Sequence, residues 1–244
     1  MNLPESVQRV AALLAERGHA HAPRPLDESA RTAQEAADAL GVQLGQIAKS
    51  IVFRREPDQV AVMVVTAGDQ RVDERKLADR LCPTGYKLIR ADAAFVRERT
   101  GFAIGGVAPL AHLHPPLLLL DLSLFRFEQV WAAAGHPHAV FAASPAQLAR
   151  LTQARLDDVS TQGLELQARA RAMLRARAAI VASEPVAEPP SPCLSVCCMS
   201  PDDGLCAGCL RTIDEIAAWG SMALSQRHEV WQAIARRAAT TRGA

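Results

Sequence analysis

Apolar positions recur at helical spacing near the start of the chain, where Val7, Val10 and Leu14 share one face of a predicted helix. The capping box "TAQE" at 32–35 indicates that a second helix begins there. The apolar runs "SIVFRR" and "VAVMVVT", separated by the turn "EPDQ", predict a pair of strands. Further strands are predicted at "LLLLD" and "HAVFA", and a further helix at "SPAQLARL". This mixture predicts an α/β or α+β domain.

The pattern changes after residue 160. The stretch "LELQARARAMLRARAAIVAS" lacks Gly and Pro, which predicts one long helix. Its arginines either form a solvated face or contact RNA phosphates; they are Arg169, Arg171, Arg175 and Arg177. A proline-rich linker, "EPVAEPPSP", follows the helix. We therefore predict a domain over 1–160, an Arg-rich helix and linker over 161–190, and a cysteine-rich domain over 191–244.

Composition narrows the classes of protein that this chain can represent. Hydrophobic residues make up 49% of the 244 positions, which is enough for a core, although aromatic residues supply only 4%. A net charge of +1 argues against a strongly basic nucleic-acid binder but leaves room for a local basic patch, so we expect no DNA partner. The first 18 residues lack the apolar centre of a signal peptide, and the longest apolar block is too short to span a bilayer. We expect a cytoplasmic protein without a membrane partner.

Five of the six cysteines lie within a short segment near the end of the chain. Cys193 and Cys197 form a C-x3-C pair, Cys206 and Cys209 form a C-x2-C pair, and "MSPDDG" provides a turn between them. That arrangement is typical of four thiolates that bind one metal, and it suits zinc and an iron–sulfur cluster equally well. The alternative is a set of buried structural thiols without metal. In the metal site, Cys198 adjoins Cys197 and cannot easily share its geometry, which leaves it as a spare, an alternate ligand or a redox-active thiol.

This segment resembles a small bacterial family of uncharacterised domains, which is generally described as a predicted iron–sulfur or metal-binding domain. The stretches that carry the resemblance are "SPCLSVC", "SPDDGLCAGCLRT" and "DEIAAW". Cys198 lies outside the family pattern, and Ser200 stands where Asp is common. The resemblance therefore implies the four ligands named above and no activity.

A lysine interrupts the apolar run near residue 50. Lys49 is one of only three lysines among 27 basic residues, so a lysine rather than an arginine at this place calls for a reason. Its stem can lie on apolar walls while its ammonium faces a pocket, and desolvation would lower its pKa. The alternative is an ordinary surface lysine at a strand end.

A glycine-rich stretch, "RTGFAIGGVAPLAHL", precedes the predicted strand "LLLLD". Glycines let a backbone approach a ligand closely, and exposed N–H groups in such a turn can hold an anion or a developing oxyanion. The alternative is a plain surface turn. The nearby histidines, His112, His114, His136 and His138, are more typical of loop or packing residues than of catalysts.

Residues 1 to about 160 resemble the YbaK/ProX family, which also occurs as the editing insertion of bacterial prolyl-tRNA synthetases. The resemblance rests on "TAQEAADALGVQLGQIAKSIVF", "GFAIGGVAP" and "LLLLDLSLFRFEQVWAAAGHPHAVFAASPAQLARLT", in that order. The family's hallmark lysine corresponds to Lys49, and its G-x3-P loop to residues 105–109. Asp121 and Gly135 also stand at family positions. The loop often continues to a glycine where this chain has Ala111.

The resemblance implies a curved mixed β-sheet flanked by helices, with a pocket for an aminoacyl ester. The implied reaction is hydrolysis of mischarged aminoacyl-tRNA, with tRNA and an aminoacyl-tRNA synthetase as partners and no cofactor in this domain. Lys49 would be catalytic, by binding the terminal nucleotide, stabilising negative charge or, if neutral, acting as a base. The implied substrate contacts are Gly101, Gly105, Gly106, Val107, Ala108, Pro109, Asp121 and Gly135.

Two other hypotheses belong to different classes of function. In the first, the pocket binds aminoacyl-tRNA or an amino acid without catalysis, and the metal segment senses redox state or docks a partner. In the second, the cysteine segment carries the main redox function and the first domain only delivers it to tRNA.

Overall fold

The computed structural model describes residues 3–26, 32–161, 166–183, 188–193, 199–200, 203–206 and 208–240. The chain divides into two compact units, Met1–Gln162 and Gly163–Ala244. The first unit has the mixed α/β architecture that the sequence predicts, and the second is helical. The predicted ligand Cys197 and its neighbour Cys198 lie outside the described residues.

Five α-helices are present in the described part of the first unit. They are α1 Glu5–Glu16, α2 Ala33–Leu40, α3 Glu74–Leu81, α4 Ala93–Thr100 and α5 Pro145–Thr152. The predicted capping box of α2 is confirmed, because the Thr32 side chain accepts the N–H of Glu35 and the Glu35 side chain accepts the N–H of Thr32. The predicted N-cap of α5, Ser144, is confirmed as well, and Gln147 completes a capping box there. In α1 the apolar stripe that the sequence predicts is buried.

The strands of the first unit form one mixed sheet, with eight strands among the described residues. They are β1 Arg24–Pro25, β2 Ile47–Glu56, β3 Val60–Ala67, β4 Lys87–Arg90, β5 Leu117–Asp121, β6 Val130–His136, β7 Ala139–Ala143 and β8 Arg155–Asp157. Their order is β1-β7-β6-β2-β3-β5-β8, and β4 also pairs with β2. Strands β2 and β3 are antiparallel, whereas β2–β6, β3–β5 and β5–β8 are parallel.

The two edges of β2 are paired differently. One edge runs antiparallel to β3 from Ala48 to Arg55 without a break. The other edge pairs with β6 only at Ile47 and Ala48, and with β4 only from Phe53 onward. Residues 49–51 therefore have no strand partner on that edge within the described ranges. Strands β6 and β4 thus separate from each other along β2 at this place, which we call the fork. The candidate site lies beside it.

Two of the apolar clusters among the described residues of the first unit lie against β2. One of them joins β2, β3 and β5 to α3; its buried members are Phe53, Val62, Val64, Val72, Leu77, Leu119 and Val159. The other joins α2 to β2 and β7, with Leu26, Ala36, Ala37, Ile47 and Val140 as its buried members. Burying this apolar surface provides the main stabilisation of the sheet and fixes the position of β2 between the two clusters.

The second unit contains α6 Leu166–Ser183, α7 Ile213–Ala218 and α8 Leu224–Thr240. Helices α6 and α8 pack together, and Trp231 and Ile234 of α8 are almost fully buried. The long helix that the sequence predicts is α6. Arg175 of α6 donates to the carbonyl of Ala238 at 2.8 Å, so this arginine ties α6 to α8. Side chains of α6 before residue 172 lie outside the described set.

Across the ranges given above, none of the helices combines the length and the apolar character needed to cross a membrane.

Candidate functional site

A cavity of about 260 Å³ opens beside the fork of β2. Most of its wall is apolar, and its lining residues are Leu26, Thr32, Ala33, Ala36, Ile47, Ala48, Lys49, Ser50, Ile51, Gly105, Val107, Trp131, Ala133, Pro137 and Val140. Lys49 and the glycine loop thus meet at one cavity, although they are more than 50 positions apart in the chain. A mostly apolar hollow with a few polar groups is typical of a small-molecule site.

Lys49 is half-buried at the start of β2. Its Nζ donates to the carbonyl of Gly68 at 3.0 Å. Burial lowers the pKa of this amine below its usual value, and the negative charge of Asp69 partly opposes that shift. Gly68 has to be glycine, because a Cβ there would lie 2.2 Å from the carbonyl oxygen of Leu44. No sequence pattern indicated that the carbonyl of Gly68 supports the lysine.

The glycine loop offers only some of its N–H groups to a ligand. The N–H of Gly106 donates to the carbonyl of Ala103 at 3.0 Å and closes a tight turn. Pro109 has no N–H to offer. In the part of the chain that the structure describes, the N–H groups of Val107 and Ala108 donate to no protein acceptor. Both residues are buried and Val107 lines the cavity, so these two amides are the loop's candidate donors.

Gly101, Gly106 and Gly135 are placed for packing rather than on the cavity wall. Gly106 lies against the backbone of His136, and a Cβ at position 106 would come within 2.6 Å of it. Gly101 ends α4 with a φ of 75°, and Gly135 lies at an irregularity of β6 with a φ of 91°. A Cβ on Gly135 would lie 2.6 Å from the carbonyl oxygen of Ser6. These glycines allow close approach between elements.

Asp121, predicted as a substrate contact, is fully buried at the end of β5. Its two carboxylate oxygens accept the N–H of Ser123 at 3.0 Å and the N–H of Val159 at 2.9 Å. Burial raises the pKa of this carboxyl, and the two backbone donors oppose that effect. Asp121 is absent from the cavity lining. Its contacts give it a structural role, and we leave it out of the proposed site.

Among the lining residues that the sequence did not predict, two have buried polar side-chain atoms without a partner. Ser50 Oγ and Trp131 Nε1 are buried, and neither has a hydrogen-bond partner among the described residues. The guanidinium of Arg24 lies 4.4 Å from the centroid of the Trp131 ring. Trp131 is one of only three tryptophans in a chain poor in aromatic residues, and that rarity is the one signal that could have pointed to it.

Three of the four predicted metal ligands are described in the second unit. Cys206 and Cys209 are buried and their side chains are hydrogen-bonded to each other, whereas Cys193 is exposed. The described residues contain no group of three or more His, Cys, Asp or Glu side chains that could hold a metal ion. Because Cys197 falls outside them, the four-cysteine site stays a prediction.

A buried arginine lies beside these thiols. Arg211 is only 4% exposed, and its Nε donates to the sulfur of Cys209 at 3.4 Å. Its guanidinium also lies 5.3 Å from the centroid of the Trp219 ring. A cation held out of water in this way needs nearby negative charge or electron-rich groups. Its surroundings therefore suit sulfur ligands that carry negative charge.

Comparison with known proteins identifies the class to which this fold and site belong. Residues 27–151, just over half of the chain, match the model of the aminoacyl-tRNA editing domain. The chain belongs to this family, as the sequence resemblance implied. Residues 191–238 match a second family, described as a protein of unknown function (DUF1289).

Individual relatives agree with this assignment. The uncharacterized protein YwhH of Bacillus subtilis (strain 168) is 37% identical over 126 residues, which cover 52% of this chain and 78% of YwhH. A solved structure described as a candidate trans-editing enzyme for prolyl tRNA synthetase is 41% identical, with a TM-score of 0.60, and the match covers 65% of this chain and 99% of that one. The structure of the hypothetical protein APE2540 is 29% identical in sequence, with a TM-score of 0.57, and the match covers 62% of this chain and 99% of that one. The predicted fold class is confirmed.

Replacing Ala111 by glycine tests the conformation at the far end of the loop. Ala111 has a φ of 61°, which costs an alanine about 1–2 kcal/mol. Glycine removes that cost but loses about 0.4–1 kcal/mol through the entropy of the unfolded chain. We expect Ala111→Gly to raise the free energy of unfolding by up to about 1 kcal/mol, measured by urea denaturation.

The matched control is Ala103→Gly, an exposed loop alanine outside the left-handed region. It should lower the free energy of unfolding by about 0.4–1 kcal/mol. If both variants were destabilised alike, Ala111 would not have the left-handed conformation.

Proposed function

We propose that this chain acts in trans to hydrolyse the ester bond of mischarged aminoacyl-tRNA, releasing the amino acid. One observation carries the proposal: in a chain of the aminoacyl-tRNA editing family, Lys49 lines the same cavity as Val107, whose N–H donates to no acceptor among the described residues. A cationic group and backbone donors around a small apolar hollow suit an aminoacyl ester, which combines a small side chain, a carbonyl and a nearby phosphate.

The loop amides supply the electrostatic part of the chemistry. As water attacks the ester carbonyl, negative charge develops on the carbonyl oxygen. The N–H groups of Val107 and Ala108 are fixed donors for that charge, and such donors gain strength in a site from which water is excluded. The new bond joins the water oxygen to the carbonyl carbon, the bond to the ribose oxygen breaks, and the ribose oxygen leaves as a hydroxyl by taking up the proton that the attacking water loses.

Lys49 provides the charged group of the site. We favour its ammonium form, which binds the terminal nucleotide of the tRNA or stabilises the developing charge. The hydrogen bond to the carbonyl of Gly68 holds Nζ in place, and a proton on Nζ suits that acceptor. A planar guanidinium would fill space that a small amino acid must occupy.

Water is the proposed nucleophile. The described lining contains no Cys or His side chain from which a Ser–His–Asp or Cys–His arrangement could be built. We therefore assign proton transfer from the attacking water to the substrate's own ribose hydroxyl or amino group.

Such an activity answers a physical limit of the synthetases. One methylene group changes the binding free energy by only about 1–3 kcal/mol, so a synthetase separates small apolar amino acids poorly and attaches some of them to the wrong tRNA. A second pocket that hydrolyses the wrong products corrects these errors. We propose tRNA as the partner and a synthetase as a further one. A structural relative described as a candidate trans-editing enzyme for prolyl tRNA synthetase supports this choice.

A panel of mischarged tRNAs tests the function directly. We expect wild-type protein to release amino acid from at least one species, and Lys49→Ala to reduce the rate by about 100-fold or more, because an electrostatic contact in the transition state is lost. The control is Lys76→Ala. Lys76 is also half-buried and also donates to a backbone carbonyl, that of Ser160 at 2.8 Å, but it lies on α3 away from the cavity lining.

Three outcomes would count against the proposal. No release from a broad panel would contradict the reaction. Tight binding of aminoacyl-tRNA without turnover would favour the non-catalytic binding module instead. Equal losses in Lys49→Ala and Lys76→Ala, both folded by circular dichroism, would remove Lys49 from the mechanism.

We also propose that Cys193, Cys197, Cys206 and Cys209 bind zinc or an iron–sulfur cluster. Two observations support this: the adjacent buried thiols of Cys206 and Cys209, and the buried guanidinium of Arg211 beside them. A metal bound by four thiolates carries excess negative charge, which this cation would offset. A module with so small a core would also gain stability from the metal.

Metal analysis of the purified protein tests this second proposal. We expect bound zinc in a colourless preparation, or iron and sulfide in a brown one that bleaches on reduction. The double variant Cys206→Ser/Cys209→Ser should lose the metal and melt at a lower temperature. Cys82→Ser, in the first unit, should keep it. Metal-free wild-type protein whose melting temperature is unchanged by added zinc or by cluster reconstitution would contradict the proposal.

A further inference from the structure

Arg9 of α1 contacts both ends of the glycine loop. Its Nε donates to the carbonyl of Ala111 at 2.9 Å. Its Nη2 lies 3.4 Å from the carbonyl oxygens of Thr100 and Gly101. One guanidinium therefore contacts both the first and the last residues of the loop that contains the candidate amide donors.

The same guanidinium lies on an aromatic ring inside the loop. It is 4.7 Å from the centroid of Phe102, which is almost completely buried. The Phe102 ring meets the ring of His112 edge-on at 6.0 Å, and a ring nitrogen of His112 is 2.8 Å from the carbonyl oxygen of Ala108. Arg9, Phe102 and His112 together form what we call the clasp, and it reaches the peptide group next to the candidate donors.

Two of the glycines predicted from the sequence make room for the clasp. A Cβ on Gly101 would lie 2.6 Å from Nη2 of Arg9, and a Cβ on Gly135 would lie 3.0 Å from Cε1 of Phe102. Both positions also have positive φ, so a larger residue would be strained as well as crowded. The need for glycine at these positions is explained by positive φ and by close packing, against Arg9 at Gly101 and against Ser6 and Phe102 at Gly135, rather than by contact with a ligand.

Arginine suits this task for a physical reason. Its planar guanidinium presents five donors in a fixed fork and can stack on an aromatic face at the same time. A lysine ammonium is a compact charge without a planar face, so it would not serve both loop ends and the ring together. A loop that contains several glycines has much conformational freedom, and closing it at both ends removes a large part of that freedom.

We propose that Arg9 is a positioning residue for the hydrolysis: it holds loop 101–111 so that the amides of Val107 and Ala108 stay directed at the cavity. This inference rests on the proposed function. Arg9 is absent from the cavity lining and acts through backbone carbonyls. Loosening the loop should weaken contacts made in the transition state more than contacts made with the bound substrate, because hydrogen bonds to developing charge depend most on exact placement.

Steady-state kinetics of Arg9→Ala and Arg17→Ala test the inference. Arg17 lies on the same helix and also donates to a distant backbone carbonyl, that of Leu151, so it is a matched control away from the loop. For Arg9→Ala we expect kcat to fall by about 10- to 100-fold while KM changes by less than about threefold. Arg17→Ala should keep kcat within about twofold of wild type at a temperature where all variants are folded. Arg9→Lys should stay close to Arg9→Ala, since charge alone does not close the loop.

Amide hydrogen exchange gives a second readout that does not require activity. In Arg9→Ala the amides from Phe102 to Leu110 should exchange faster than in wild type, and in Arg17→Ala they should not. An equal loss of kcat in the two alanine variants, or unchanged hydrogen exchange in Arg9→Ala, would contradict the proposal that Arg9 positions the loop. If wild-type protein released no amino acid, the proposed function would fail by itself, and hydrogen exchange would still decide whether Arg9 orders the loop.

Discussion

The pairing of β2 determines where the candidate site of the first unit lies. One edge of β2 is fully occupied by β3, while the other is shared between β6 and β4 with a gap at residues 49–51. A gap inside a sheet exposes backbone and side chains that pairing would otherwise cover, and here it opens into a small apolar cavity. The lysine lies at that gap and the glycine loop lies across from it. The candidate site is therefore a consequence of sheet topology rather than of any local motif.

Partial burial gives Lys49 its chemical properties. An ammonium that has lost part of its water interacts more strongly with charge that develops nearby, and burial also lowers its pKa. The carbonyl of Gly68 offsets part of that cost and fixes the position of Nζ. On the other side of the cavity, Gly106 uses its N–H within the loop and leaves those of Val107 and Ala108 unpaired. Lys49 and Val107 both line the cavity, and the proposed function uses the charge of one and the amide of the other to stabilise an oxyanion.

The sequence predicted the elements whose signals are local. The helix caps at Thr32 and Ser144 and the turn between β2 and β3 are encoded within a few residues, and the structure has them. It did not predict β6, because "VWAAAGH" is rich in alanine and gives no strand pattern. The contact of Arg9 with Ala111 spans 102 positions, so no short motif announces it. For the same reason, a glycine pattern indicates where the backbone approaches other groups closely, but it does not identify those groups. They become visible only in the fold.

The most direct test is a crystal structure with a non-hydrolysable aminoacyl-adenosine in which an amide replaces the ester, carrying the amino acid that the deacylation panel selects. The account predicts the amino-acid side chain in the cavity beside Trp131. It also predicts that the carbonyl oxygen lies within about 3.2 Å of the amide nitrogen of Val107 or Ala108, with Nζ of Lys49 facing the ligand. An analogue bound away from the cavity, or one whose carbonyl points away from both amides, would contradict it.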